Sequence, residues 1–189
     1  MVVLNSIQTV LVINIFKRDK IKYMSLFKRN RVPAKLLLNP VHFLSLGFGS
    51  GLSPFAPGTA GTLVTIPIYW LLAPLAIEYY IGVVVLMFMV GVYLCGQTTQ
   101  RLGSHDHSAI VWDEIVGYLI TMTMIPFSIE WAIVGFFVFR LFDVWKPWPV
   151  NLMDRNVHGG FGIMLDDVGA AIYSLLSMHV LIYLWDTFQ

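Results

Sequence analysis

Apolar residues gather into five blocks separated by polar breaks, at about 62–77, 79–96, 110–127, 131–145 and 168–185. Each block is read as a helix, and each is somewhat shorter than the ~20 residues an upright bilayer-spanning helix needs. The pattern predicts an all-α bundle of about five apolar helices, thin, tilted or partly sunk into one leaflet. Pro67 and Pro74 fall inside the first block and are expected to kink or shorten it. No internal repeat or low-complexity tract is present.

The breaks alternate in character. Tight turns lie near Glu78 and at Pro126–Glu130, whereas long polar stretches occupy 97–109 and 146–167. With a cytoplasmic N-terminus, helices passing alternately out and back place every long loop on the cytoplasmic side. Arg101, Arg140, Lys146 and Arg155 then fall on that side. Glu78, Glu130 and Asp186 lie opposite with no Lys or Arg, as the positive-inside rule expects. Trp112, Trp145 and Trp148 are placed at the inner interface, and Trp131 and Trp185 at the outer one.

Composition strengthens the membrane reading. Hydrophobic residues make up 57% of the 189 and charged residues 12%, with a mean hydropathy of +0.73. Soluble domains average about 45–50% apolar and about 25% charged. An integral membrane protein of one domain is expected.

The net charge of +1 conceals an asymmetry. Residues 1–35 hold eight of the twelve Lys/Arg and one of the eleven acids, Asp19. They are read as a basic, partly flexible cytoplasmic segment drawn to anionic lipid, ahead of a membrane domain over 36–189. Nucleic acid is not an expected partner, because no aromatic platform is interleaved with these charges. The apolar run 8–16 precedes the basic cluster and has no small-residue cleavage site after it, so it does not read as a signal peptide. Met24 is an equally good start, which would leave 1–23 as an extension.

Polar chemistry is concentrated at the helix mouths. The loop 47–61, GFGSGLSPFAPGTAG, can present backbone N–H groups to an anion near a helix N-terminus, or serve only as a flexible loop capped by Thr59 or Thr62. Residues 105–114, HDHSAIVWDE, set two His and three carboxylates before the third helix. Asp113 and Glu114 project about 100° apart, so one can point inward while the other lies along the rim.

Carboxylates near a membrane boundary are costly unless paired or bound to a cation. Attraction to a helix N-terminus explains one of these two acids more readily than both. Arg140, Asp143 and Lys146 recur every three residues on one helical face, and either pair among themselves or serve a phosphate and a metal. Asp166-Asp167 is placed just before the fifth helix, where one Asp would be an ordinary cap. If Asp113, Glu114, Asp143, Asp166 and Asp167 converge, so many like charges need a cation, and their hard oxygens suit Mg²⁺. His105, His107 and His158 flank these acids as candidates for proton transfer, while His42 and His179 are read as interfacial or core residues. Cys95, alone in an apolar helix, excludes an intrachain disulfide.

Three stretches carry a resemblance: GFGSGLSPFAPGTAGTL (47–63), GVYLCGQTTQRLGSHDHSAIVWDEIVG (91–117) and FRLFDVWKPWPVNLMDRNVHGGFGIMLDD (139–167). Over about residues 40–185 the chain resembles the phosphatidylglycerophosphatase A family of bacterial membrane lipid phosphatases. The resemblance implies Mg²⁺-dependent hydrolysis of phosphatidylglycerophosphate to phosphatidylglycerol and inorganic phosphate, the last step of phosphatidylglycerol synthesis. The place implied is the bacterial inner membrane, multi-pass, with the site facing the cytoplasm.

On that footing Asp113, Glu114, Asp143, Asp166 and Asp167 form the metal and base shell. Arg140, Lys146 and Arg155, with the 47–61 backbone including Gly58 and Thr59, grip the phosphate. The D-x-D-x-T/V run of haloacid dehalogenase phosphatases is missing, which favours direct attack by water over a phosphoaspartyl intermediate. The P-S-G-H core of phosphohistidine lipid phosphatases is missing too, as is the CDP-alcohol phosphotransferase pattern. A small transporter, the rival from another class, predicts acids near the midplane and an inverted repeat, and neither is present. The lipid bilayer and the phospholipid substrate are the expected partners, and the sequence sets no oligomeric state.

Overall fold

A computed structural model describes residues 32–104 and 107–188, so the expected basic segment lies almost wholly outside the described residues. The fold is that of the unit Ala34–Gln189. Among the described residues it is helical throughout, with no strand. Helix α1 (Pro40–Ser45) stands between two 3-10 turns, Ala34–Leu38 and Gly47–Leu52. It is followed by α2 (Pro57–Leu72), α3 (Ile77–Leu102), α4 (Trp112–Thr121), α5 (Ile129–Trp145), α6 (Val150–Asn156) and α7 (Gly159–Thr187).

Local chemistry sets the ends of these helices. Asn39 Oδ1 accepts from Val41 N at 2.9 Å to cap α1, and Ser128 Oγ accepts from Trp131 N at 3.2 Å to cap α5. Pro57 opens α2, where its missing N–H costs nothing. Pro67 is accommodated inside α2, and the helix stops two residues short of Pro74, as a proline beyond a helix end requires.

Helix α4 is the centre of the bundle, packed by α2, α3, α5 and α7. Ile115, Val116, Tyr118 and Leu119 are wholly buried. Two buried tyrosine hydroxyls are bonded across helices: Tyr80 donates to the Leu119 carbonyl at 2.7 Å and Tyr118 to that of Ala132 at 2.8 Å.

The apolar blocks fall on α2, α3, α4, α5 and α7, but their expected lengths need correction. Helices α3 and α7 have 26 and 29 residues, about 39 and 43 Å at the helical rise. Both are long and apolar enough to cross a bilayer, by length and composition. The others are shorter, with 16, 10 and 17 residues in α2, α4 and α5.

Packing explains the two extensions. Helix α3 runs on through the polar stretch 97–102 because Thr98 is buried against α1, with its hydroxyl 2.9 Å from His42 Nδ1. Helix α7 begins nine residues before its apolar block because Gly160 lies against α3, so close that a Cβ there would meet the Val92 carbonyl oxygen at 1.9 Å.

Trp112 departs from its expected interfacial place. It is buried at the head of α4, where its indole N–H donates to the Met87 carbonyl at 3.0 Å. Trp145, Trp148 and Trp185 are exposed, and Trp131 rests edge-on against Trp185. The outward faces of α3 and α7 are apolar, with Tyr79, Leu86, Met89, Leu176, Val180 and Trp185 all exposed.

Candidate active site

One end of the bundle gathers the beginnings of α2, α4 and α7 and the end of α5. The acids there stand on helices, not in loops, which corrects the expectation of a site built from long loops. Asp113 and Glu114 occupy the first turn of α4, Asp143 the last turn of α5, and Asp166 and Asp167 the interior of α7. The last pair does not cap α7. The Gly-Gly turn starts the helix earlier and carries both acids down to the depth of α4.

Asp113, Glu114 and Asp167 bring one carboxylate oxygen each within 4.8 Å of one another. Asp113 and Asp167 are buried, at 8% and 4% exposure. Glu114 Oε2 and Asp167 Oδ2 are buried with no hydrogen-bond partner among the described residues. Oxygens around an octahedral Mg²⁺ lie about 2.9 to 4.2 Å apart. The trio can therefore converge on such an ion by side-chain adjustment of up to about 2 Å, and its orphaned oxygens supply the reason for one.

Helix α4 is too short to span a bilayer and lies outside the two long helices. Burial, and then the Asp167 carboxylate, pushes the Glu114 carboxyl up to about 8.

Two basic residues divide the remaining acids. Arg140 Nη1 pairs closely with Asp143 one helical turn on, and lies 3.8 Å from Glu114 Oε1. Lys146 Nζ donates to Asp154 Oδ1 at 2.8 Å and Asp166 Oδ2 at 2.5 Å. Burial works against the Lys146 charge, but the Asp166 and Asp154 carboxylates outweigh it and hold its pKa above the ordinary lysine value. Of the expected face Arg140–Asp143–Lys146, the first two pair on α5, whereas Lys146 lies just past the helix end in a left-handed conformation and turns onto α7 and α6.

The glycine-rich loop delivers the start of α2 to the same place. A Cβ on Gly58 would stand 2.2 Å from Glu114 Oε1 and 3.0 Å from Arg140 Nη1, so only glycine lets the helix approach so closely. Thr59 follows it, half-buried. The first-turn N–H groups of a helix have no acceptor within it and carry the positive end of its dipole.

Arg155 is exposed on the last turn of α6 and makes no ion pair among the described residues. His158 is exposed at the residue before α7, and the His107 ring is buried with Nδ1 accepting from Ala109 N at 3.2 Å. His105 lies outside the described residues. Asp154 was missed by sequence reasoning, because Pro147 and Pro149 separate it from Lys146 and remove any helical spacing between them. Its one signal was its position inside the 139–167 block.

Comparison with known proteins places the chain among the phosphatases. The family model for phosphatidylglycerophosphatase A matches residues 43–182. Phosphatidylglycerophosphatase A of Escherichia coli is 46% identical over 166 residues, covering 86% of this chain and 96% of the relative. That of Haemophilus influenzae is 46% identical over 149 residues, 78% and 91% of the two chains. A Bacteroides thetaiotaomicron protein, provisionally described as a phosphatidylinositol-3-phosphatase, is 38% identical over 144 residues, 72% and 90% of the two chains. No solved structure matches. The protein is a phosphatase of the all-helical kind just described. It belongs to the phosphatidylglycerophosphatase A family.

Proposed function

We propose that the protein is a Mg²⁺-dependent lipid phosphatase that hydrolyses phosphatidylglycerophosphate to phosphatidylglycerol and inorganic phosphate, the last step of phosphatidylglycerol synthesis. The observation that carries this reading is the convergence of Asp113, Glu114 and Asp167 beside Arg140 and the start of α2. Carboxylates for a metal and donors for an anion meet there at one point.

When bound, Mg²⁺ supplies charge stabilisation at the phosphoryl group. The chain's own residues do the rest. Arg140, already anchored on Asp143, presents its guanidinium to the phosphate oxygens, and the N–H groups of Gly58 and Thr59 add the helix dipole. A carboxylate of the trio accepts a proton from the attacking water as its oxygen bonds to phosphorus. The bond from phosphorus to the glycerol oxygen breaks in line, and that oxygen leaves as the lipid hydroxyl after gaining a proton.

Placement in a bacterial inner membrane with the site toward the cytoplasm follows the same reading. Helices α3 and α7 have the length and the exposed apolar faces to lie in lipid. Glu78, Glu130 and Asp186 stand at the end away from the site, all exposed and with no Lys or Arg among the described residues beside them in the helix termini.

Purified full-length protein in detergent tests the proposal by phosphate release from phosphatidylglycerophosphate, with Mg²⁺ or EDTA. Phosphatidylinositol 3-phosphate serves as the competing substrate. Mg²⁺-dependent release that prefers phosphatidylglycerophosphate is expected. Equal or better turnover of the inositol lipid, or release undiminished by EDTA, overturns the corresponding part.

A further inference from the structure

We infer that the Lys146 ammonium is a resident cation standing where a second divalent ion would otherwise bind, so that the site takes a single Mg²⁺ on Asp113, Glu114 and Asp167. This rests on the metal reading proposed above and fixes its stoichiometry.

Six acids gather at this end of the bundle, enough ligands in kind for the paired ions, about 3.5–4 Å apart, of many phosphoryl-transfer sites. The geometry divides them differently. Asp143 is engaged by Arg140. Asp154 and Asp166 are engaged by Lys146, at 2.8 and 2.5 Å. Asp166 and Asp167 are consecutive on α7, so their side chains diverge by about 100°. One turns to Lys146 and the other to Asp113 and Glu114. The second group brings one oxygen from each of its three carboxylates within 4.8 Å of the others, with the Arg140 guanidinium 3.8 Å from Glu114.

The backbone is committed to this arrangement. Lys146 has φ 44° in the left-handed region, as the residue that ends α5. That conformation costs a non-glycine residue roughly 1–2 kcal/mol and persists only where its surroundings demand it. Pro147 follows and bars a right-handed helical continuation at Lys146, and the resulting turn aims the side chain across to α6 and α7. A second divalent ion on Asp166 would have to displace an ammonium already holding both acids, leaving that charge half-buried and unpaired.

The test counts Mn²⁺, as a stand-in for Mg²⁺, bound to full-length protein in detergent by electron paramagnetic resonance. One ion per native chain with no spin-coupled pair is expected, at least tenfold weaker binding in Asp167→Asn, and two ions per chain in Lys146→Gln. Two ions or a coupled pair in the native protein overturn the inference. So does a folded Lys146→Gln protein that still binds one. If that variant does not fold, the native count alone decides. No Mn²⁺ on folded native protein removes the metal reading itself, an outcome distinct from a count of two.

Discussion

Replacing Gly58 by Ala puts a methyl group where Glu114 and Arg140 now meet the start of α2. The new carbon would lie 2.2 Å from Glu114 Oε1 and 3.0 and 3.2 Å from the two terminal nitrogens of Arg140. Non-bonded contacts relax at about 3.5 Å, so the Glu114 carboxylate must retreat by roughly 1 Å. The displaced atoms are tips of flexible side chains, and Gly58 is not among the positive-φ residues. The stability loss therefore falls at the low end of the about 1–3 kcal/mol typical of overpacking. Activity is more sensitive, since a misplacement of about 1 Å at a reacting centre costs about 10²-fold, or about 2.7 kcal/mol of barrier. Gly82→Ala is the control: Gly82 has nothing within 4 Å, and the change should be neutral or stabilise α3 by up to about 1 kcal/mol. The assay is kcat/KM for phosphate release alongside thermal unfolding of the same preparations. A Gly58→Ala enzyme with native kcat/KM would refute the placement of Gly58 against Glu114, and an equal loss in Gly82→Ala would show that the effect is not local.

Gly160→Ala should act on stability instead, because its Cβ would meet backbone, the Val92 carbonyl oxygen at 1.9 Å and Gly96 N at 2.6 Å. The helices α3 and α7 must then separate, for about 3 kcal/mol, and an unchanged unfolding midpoint would contradict that packing. Glu114 gives a pH signature. Its folded carboxyl is raised to about 8, so the metal-free protein loses stability as pH rises from about 4.5 to 8, while proton competition with Mg²⁺ fades. The rise in Tm on adding Mg²⁺ should accordingly be larger at about pH 8.5 than at about pH 6, and a pH-independent rise counts against Glu114 as a ligand. Arg155→Ala, at an exposed site, should shift stability by less than about 0.5 kcal/mol and leave KM within about twofold. A much larger KM would restore Arg155 to the phosphate grip.

The site was legible as a set of residue types and only partly as a geometry. Acids at three helix mouths pointed to one shared acidic cluster, and Asp113, Glu114 and Asp167 do come together. The partition among them was not legible. Asp166 and Asp167 are equivalent as sequence, and their opposite allegiances depend on where α7 starts and how it is turned against α4 and α5. Lys146 read as one face with Arg140 by its helical spacing, and its left-handed backbone turns it onto Asp154 and Asp166. Asp154 was invisible because the fold between Pro147 and Pro149 brings it back to Lys146.

Hydropathy alone determined that this chain is helical and lipid-compatible, since apolar side chains in blocks of this length have few other ways to satisfy their backbone. The motifs alone determined the family. Tertiary structure decided the helix lengths, the burial of Trp112 and which carboxylates face one another. These depend on close approaches, such as Gly160 on Val92 and Gly58 on Glu114, in which the decisive atom is the side chain that is not there. A hydropathy pattern records what each residue prefers, whereas contacts of this kind are set by two segments at once.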